Sequence, residues 1–321
     1  MKTITKFIYL AFAVVSLATG AATANGAVND LFASINGTGD NGGGFIYKYT
    51  PTGVQSIFAS GLSRPRGVAF GPAANLFVAT FTCDVSGTCQ GAIVKITPGG
   101  VQSTFATLSQ QNFQPEGVAF DQAGNLFVMA IDFTDPNLAS TIYKFTPGGV
   151  QSTFGSVPGQ AFGLAFNAAG NLYAGNGGAI GPGIYKFSPD GTRTMFADLS
   201  AFPPNNGPID FAFDRFGNLF VSTESGLVND PSNVVLKFTP DGVGSTFAAN
   251  LGNYPRGLAF NKGRQLFLAE VGEEPNPPRT PGDILTFAPD GTRTVFAVMP
   301  SPAVNAGPEF LAFQLSPPPH P

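Results

Sequence analysis

The chain of 321 residues contains no Trp, one His and two Cys, and only 11% of it is charged. Each shortage removes a class of chemistry. The one His is His320, inside the tail PPPHP. A Ser or Cys nucleophile activated by an imidazole base is therefore excluded, and only carboxylate or metal–carboxylate chemistry remains open to an enzyme. There is no basic run or patch, which argues against nucleic acid or an anionic membrane as a partner. Charged residues fall well below the roughly 25% of an ordinary protein. The surface is then dominated by Ser, Thr, Asn, Gln and Gly. No window beyond the N-terminal segment sustains an apolar stripe of helical period, and Gly and Pro interrupt every long stretch.

Residues 1–24 read as a secretory leader. Lys2 and Lys6 supply the positive start, FIYLAFAVVSLATG at 7–20 the apolar stretch, and Ala22-Thr23-Ala24 the small-x-small cleavage site. The apolar stretch is short for a membrane span. The expectation is a secreted, periplasmic or extracellular protein with no span after removal of the leader. Cys83 and Cys89 enclose DVSGT. In an exported chain the pair is expected to form a disulfide pinning one loop.

What the chain does have is a repeat. GVAF at 67–70 and 117–120 returns as GLAF at 163–166, DFAF at 210–213, GLAF at 257–260 and FLAF at 310–313. The intervals of 50, 46, 47, 47 and 53 residues match propeller blades. Each full unit has four short apolar runs, as in GVAF at 117–120, NLFVMA at 125–130, TIYKFTP at 141–147 and VQSTF at 150–154. Such runs, rich in β-branched and aromatic residues and bounded by Gly, Pro and Asp, are strands. The third and fourth join through a tight turn, TPTG, TPGG, TPGG, SPDG, TPDG and APDG in order. A Phe closes the fourth strand in every unit (Phe58, Phe105, Phe154, Phe196, Phe247 and Phe296) and is expected to pack between neighbouring blades.

The first unit lacks the opening strand and the last copy of that strand stands alone. The ends are therefore expected to pair, closing the ring and leaving no open edge. The predicted fold is all-β: a single six-bladed β-propeller over 25–315, followed by a Pro-rich tail at 316–321. The predicted blades are 29–60 with 307–314, then 62–106, 113–154, 160–198, 206–248 and 253–297.

Strand direction divides the two faces. The first-to-second and third-to-fourth turns share one face and are short and uniform. The second-to-third loops and inter-blade links share the other and are long and all different, so a binding site is expected there, around the channel mouth.

QPEGVAFDQAGNLFVMA at 114–130 resembles the strand pair of the NHL-repeat and gluconolactonase/regucalcin-like (senescence-marker-like) six-bladed propellers, and the other units follow the same pattern across nearly all of 29–314. The absence of Trp disfavours WD-repeat, kelch and sialidase-type blades. The absence of a channel His disfavours propeller lyases of the streptogramin-inactivating type, amidating lyases, paraoxonase-like lactonases and quinoprotein sugar dehydrogenases. The resemblance implies a divalent ion at the channel mouth, held by Glu, Asn and Asp four positions before the innermost-strand aromatic. Here those slots hold Glu309, Arg66, Glu116, Phe162, Ile209 and Arg256, in ring order. Phe162 and Ile209 cannot be ligands. An Arg about 4 Å from a divalent ion costs several kcal/mol even at a generous dielectric. The metal set is thus not carried over, and Asp210 lies one residue off-register.

The bland alternative is that Glu309, Arg66, Glu116 and Arg256 neutralise one another as an ion-pair ring. The same ring could recognise a ligand, since Arg forks suit carboxylate-bearing molecules. Further candidates on the variable face are Asp132, Asn176, Glu224 and Glu270, with Asp135, Asp230, Glu273 and Glu274 as other loop acids. The favoured reading is a non-catalytic, monomeric binding module for a small molecule, glycan or protein, with no cofactor expected. The alternative is a metal-dependent, lactonase-type hydrolase using Glu116 and Glu309 with Ca or Zn. A second alternative is a structural repeat in an extracellular assembly.

Overall fold

A computed structural model of the protein describes residues 29–37, 43–177, 181–200, 202, 207–225, 230–272, 282–299 and 307–314. The leader expected over 1–24, Glu273, Glu274, the 316–321 tail and its His320 lie outside these residues. The described residues form 24 strands in six four-stranded antiparallel sheets, with one 3-10 turn at Pro72–Ala74. The architecture is a six-bladed propeller.

Blade 1 contains Leu31–Ile35, Gly44–Tyr49 and Gln55–Leu62, and its innermost strand is Pro308–Phe313 from the far end of the chain. Leu31 pairs with Phe313, Phe32 with Ala312 and Ala33 with Leu311. Asn29 N donates to Gln314 O at 3.1 Å, and Gln314 N donates to Asp30 O at 3.2 Å. Ring closure therefore rests on a non-local pairing. Blades 2 to 6 are each continuous in sequence and have innermost strands Val68–Phe70, Phe113–Phe120, Leu164–Phe166, Gly207–Phe213 and Tyr254–Phe260.

The core lies between blades and is built on a repeated aromatic triad. In blade 3, Phe127 of the second strand meets Phe154 of the fourth edge-on at 4.8 Å and Phe166 of the next blade at 4.9 Å. Phe32, Phe77, Tyr173, Phe220 and Phe267 stand at the same place in the other blades. The fourth-strand Phe also reaches the next blade, as in Phe154 to Phe187 at 6.1 Å. Edge-to-face contacts of this kind add roughly 0.5–1.5 kcal/mol each beyond area burial.

These six Phe are not ordinary strand positions. In every outer hairpin the register slips by one residue, for example between Tyr143↔Thr153 and Ile142↔Gly155. The residue left over is Phe154 there, and Phe58, Phe105, Phe196, Phe247 and Phe296 in the other blades. A bulge re-aims the side chain of the extra residue. Each Phe is thereby turned into the triad, which simple alternation did not foresee.

At the axis the innermost strands crowd together. Gly67 N donates to Glu116 O at 3.0 Å, Gly117 N to Phe162 O at 2.8 Å and Gly163 N to Ile209 O at 2.7 Å. A Cβ on Gly117 would stand 2.6 Å from Phe162 O, which explains the Gly that opens most motif copies.

Cys83 and Cys89 are cross-strand partners of one hairpin and form the expected disulfide. Among the described residues no helix is long and apolar enough to cross a membrane.

Candidate functional site

The slot residues reach the channel mouth because each immediately precedes the motif copy that forms its blade's innermost strand. Blade order then decides which residues are neighbours. Glu309 lies between Arg66 and Arg256, and both donate to it: Arg66 Nη1 lies 2.9 Å and Arg256 Nη1 2.8 Å from Glu309 Oε2. Arg66 Nε stands 3.7 Å from Glu116 Oε2, and the other Glu116 oxygen accepts from Gln114 Nε2. Arg256 turns its second edge to Glu224, with Nε 3.0 Å from Oε2 and Nη2 3.3 Å from Oε1. The result is a partly buried chain of charges, Glu116–Arg66–Glu309–Arg256–Glu224.

Sequence reasoning placed Glu224 among the loop acids and missed its link to Arg256. Glu224 ends the second strand of blade 5, and Arg256 lies on the innermost strand of blade 6. Phe162 and Ile209, in the slots of blades 4 and 5, leave the ring one-sided.

Burial opposes ionisation of Glu309, but Arg256 and Arg66 outweigh it and hold its carboxyl below the usual range. For Glu116 burial wins over the attraction of Arg66, and its carboxyl is pushed up. Glu224 is also raised, by burial first. Burial works against the charge on both arginines, yet the surrounding Glu raise them further.

Asp210 takes a different role from its neighbours. In DFAF at 210–213 it stands where blades 2, 3, 4 and 6 carry the motif Gly, at a pairing shift that blades 3 and 6 share. Its Oδ2 accepts from Leu258 N of the next blade at 2.8 Å. It is the one ionisable side chain lining an axial cavity of about 130 Å³ built from all six innermost strands. Burial pushes its carboxyl up to about 7, against the hydrogen bond from Leu258. Ser222 Oγ accepts from Asp210 N at 3.1 Å and donates to Arg256 O, tying this strand to the ring.

The remaining candidates do not join the ring. Asp132 Oδ1 closes its own turn, accepting from Thr134 N at 2.8 Å and Thr134 Oγ1 at 2.6 Å. Asp135 and Asp230 cap turns in the same way, at Asn137 N and Ser232 N. Asn176 is fully buried, and its Nδ2 donates to Gly181 O at 3.1 Å. Glu270 is buried opposite Asp283 on the adjacent strand of blade 6. Burial first, and then Asp283, push the Glu270 carboxyl up to about 8. Burial raises the Asp283 carboxyl as well.

Among the described residues no group of three or more His, Cys, Asp and Glu is arranged to hold a metal ion. The donor chemistry at the mouth also argues against one there. One Glu309 oxygen carries two guanidinium groups, and Glu116 of blade 3 faces the guanidinium of Arg66 from blade 2.

No family model and no curated protein matches the chain. Solved structures do match. A protein of unknown function from Bacteroides caccae is 12% identical with a TM-score of 0.59, over 89% of this chain and 98% of that one. A gluconolactonase from Xanthomonas campestris is 17% identical with a TM-score of 0.54, over 70% and 75%. The virginiamycin B lyase of Staphylococcus aureus is 15% identical with a TM-score of 0.54, over 77% and 73%. The calcium-binding regucalcin of Agrobacterium tumefaciens also matches, at 12% identity. These neighbours include gluconolactonase/regucalcin-like six-bladed propellers, and the likeness at such identities is one of fold.

Proposed function

We propose that the protein is an exported, non-catalytic binding module that recognises a small hydroxyl-rich ligand, such as a sugar or glycan, at the mouth on its variable-loop face. The observation that carries this reading is the double engagement of Glu309 by Arg66 and Arg256. The residues that would hold an ion in a gluconolactonase-like site are here joined to cations, so the site does not fit a metal and no metal step is derived.

The ring also bears on the ligand. Its two arginines are committed to Glu partners, which weakens the expectation of a carboxylate-bearing ligand. Arg66 Nε and Glu116 Oε2 make no hydrogen bond among the described residues and stand 3.7 Å apart. Both atoms are buried within the ring, so it is the uncharged polar loops around the mouth, rich in Ser, Thr, Asn and Gly, that favour a hydroxyl-bearing ligand.

Lactonase-type hydrolysis is the second reading. Its support is the fold likeness and Asp210, whose carboxyl titrates near neutrality as a general acid or base must. Against it stands size. The cavity at Asp210 is about 130 Å³, smaller than the roughly 300 Å³ at which ligand pockets begin.

The deciding experiment is elemental mass spectrometry of the purified protein before and after chelation, followed by calorimetric titration with mono- and oligosaccharides. The expected result is no stoichiometric ion and saturable sugar binding that Arg66→Ala weakens. A stoichiometric divalent ion, lost on chelation together with a fall in melting temperature, would replace this reading with the hydrolase.

A further inference from the structure

A groove of about 580 Å³ opens on the opposite, short-turn face, between blades 5 and 6. That face was expected to be uniform. The groove is walled by the turns DRFGN at 214–218 and NKGRQ at 261–265 and ends at Ala288 and Pro289. Its floor is the aromatic triad of this blade pair, Phe220 with Phe247 and Phe260 edge-on at 4.9 and 5.2 Å. Lys237 Nζ lies 5.3 Å from the centre of the Phe220 ring.

The matching place between blades 3 and 4 has the same floor, Phe127 with Phe154 and Phe166, and Lys144 at 5.4 Å from the Phe127 ring. The cavity there is about 300 Å³, and Lys144 is its only cation. The repeat therefore builds the floor everywhere, and the difference lies in the rim. Between blades 5 and 6 the rim adds Arg215, Lys262 and Arg264 to Lys237, together with Phe216, which is 67% exposed. The lone acid of the lining, Asp214, is already engaged. Its carboxylate accepts from Phe216 N, Asn218 N and Asn218 Nδ2 at 2.8, 2.9 and 2.7 Å. None of the four cations forms an ion pair among the described residues. Four cations against one carboxylate leave the groove with a formal charge of +3, which runs against the −4 of the whole chain.

Backbone conformation points the same way. Arg264 has φ +71°, at the turn position where Gly124, Gly170 and Gly217 have φ near +80° and Ala74 has +55°. A side chain in this left-handed region costs roughly 1 kcal/mol that Gly avoids. The chain carries a long cationic side chain there despite that cost, and it lines the groove.

We propose that this groove binds a small organic anion with an aromatic or aliphatic body. The apolar body lies against the Phe floor, and the anionic group meets the rim cations. Arg215 and Arg264 offer planar forks suited to a carboxylate or sulfonate. The volume falls within the roughly 300–1,000 Å³ of small-molecule sites. This site is separate from the channel mouth and does not depend on its reading.

The test uses two fluorescent probes on the full exported chain, the anion 8-anilinonaphthalene-1-sulfonate and the neutral N-phenyl-1-naphthylamine. Arg264→Gly restores the residue that the turn favours and so keeps the fold; it is combined with Lys262→Ala. The expected result is one saturable site for the anion, weakened about tenfold or more in the double variant, with the neutral probe changed less than about twofold. Lys144→Ala, in the smaller groove, should leave both probes unchanged. Absence of saturable binding of the anion overturns the proposal. So does equal weakening of both probes, which would mark a merely apolar patch, or an equal effect of Lys144→Ala.

Discussion

Arg66 and Arg256 converge on one oxygen, Glu309 Oε2, at 2.9 and 2.8 Å. Glu309 belongs to the C-terminal strand that completes blade 1, so the residue that organises the channel mouth is carried by the strand that closes the ring. Site and closure are therefore energetically linked.

Glu309→Gln should be strongly destabilising. It leaves two partly buried guanidinium groups with one charge fewer between them, and breaking such pairs costs about 3–5 kcal/mol. Urea denaturation measures this directly. Adding Arg66→Met should recover part of the loss, because it removes one of the stranded charges. A double variant no better than the single would mean that Arg66 is solvated without Glu309.

Asp210→Asn should flatten the dependence of stability on pH. The folded-state carboxyl titrates at about 7, above its ordinary value of 3.8, so the folded chain holds the proton more tightly. That contribution is fully present below the unfolded pKa and is lost as pH rises through about 7. Asn mimics the protonated acid and keeps an oxygen for Leu258 N. The variant should match the wild type at pH 4 and exceed it at pH 8.5 by roughly 2–4 kcal/mol. Thermal melts across this range check the crossover.

Glu270→Gln should behave in the same sense at higher pH. Glu270 is pushed up to about 8 by burial and by Asp283, so its contribution persists below 4.5 and disappears through about 8. The amide has no charge to desolvate and offers an N–H donor toward Asp283, its cross-strand neighbour. The variant should have a higher melting temperature than wild type at pH 9 and a similar one at pH 5.

Deleting 307–321 removes the strand that pairs with Leu31–Ile35. It should expose the edge of blade 1 and the face of blade 6 that packs on this strand, and lead to aggregation, seen by size-exclusion chromatography. Deleting 316–321 alone should leave the melting temperature unchanged. A soluble, fully folded 1–306 chain would overturn shared-blade closure.

Phe154→Ala removes the bulge residue of blade 3 from a contact with Phe127 at 4.8 Å and one with Phe187 at 6.1 Å. The expected loss is roughly 2–4 kcal/mol. Phe154→Leu should recover about half, since it refills volume without the edge-on geometry. Chemical denaturation of both variants compares them.

The blades were legible because their signals are short-range. Pro-x-Gly turns, alternating runs and a motif recurring at a near-constant interval specify a strand meander, and the headless first unit specifies how the ring closes. The order of charged slots was legible for the same reason, since ring neighbours are simply successive blades. The bulge at each recurring Phe was not, because a one-residue slip in pairing leaves the spacing of apolar residues along the strand unchanged. Nor was the tie between Glu224 and Arg256, which belong to different strands of different blades.

The sequence by itself determined the six-bladed architecture, its closure and the order of the slot residues around the axis. Tertiary structure alone decided which of those charges are satisfied. Whether Asp210 or Glu270 keeps its proton depends on how far each is withdrawn from water and what faces it. The basic groove likewise exists only because two turns 47 residues apart stand side by side on neighbouring blades. Desolvation and juxtaposition are properties of the packed ring, and no local pattern of residues encodes them.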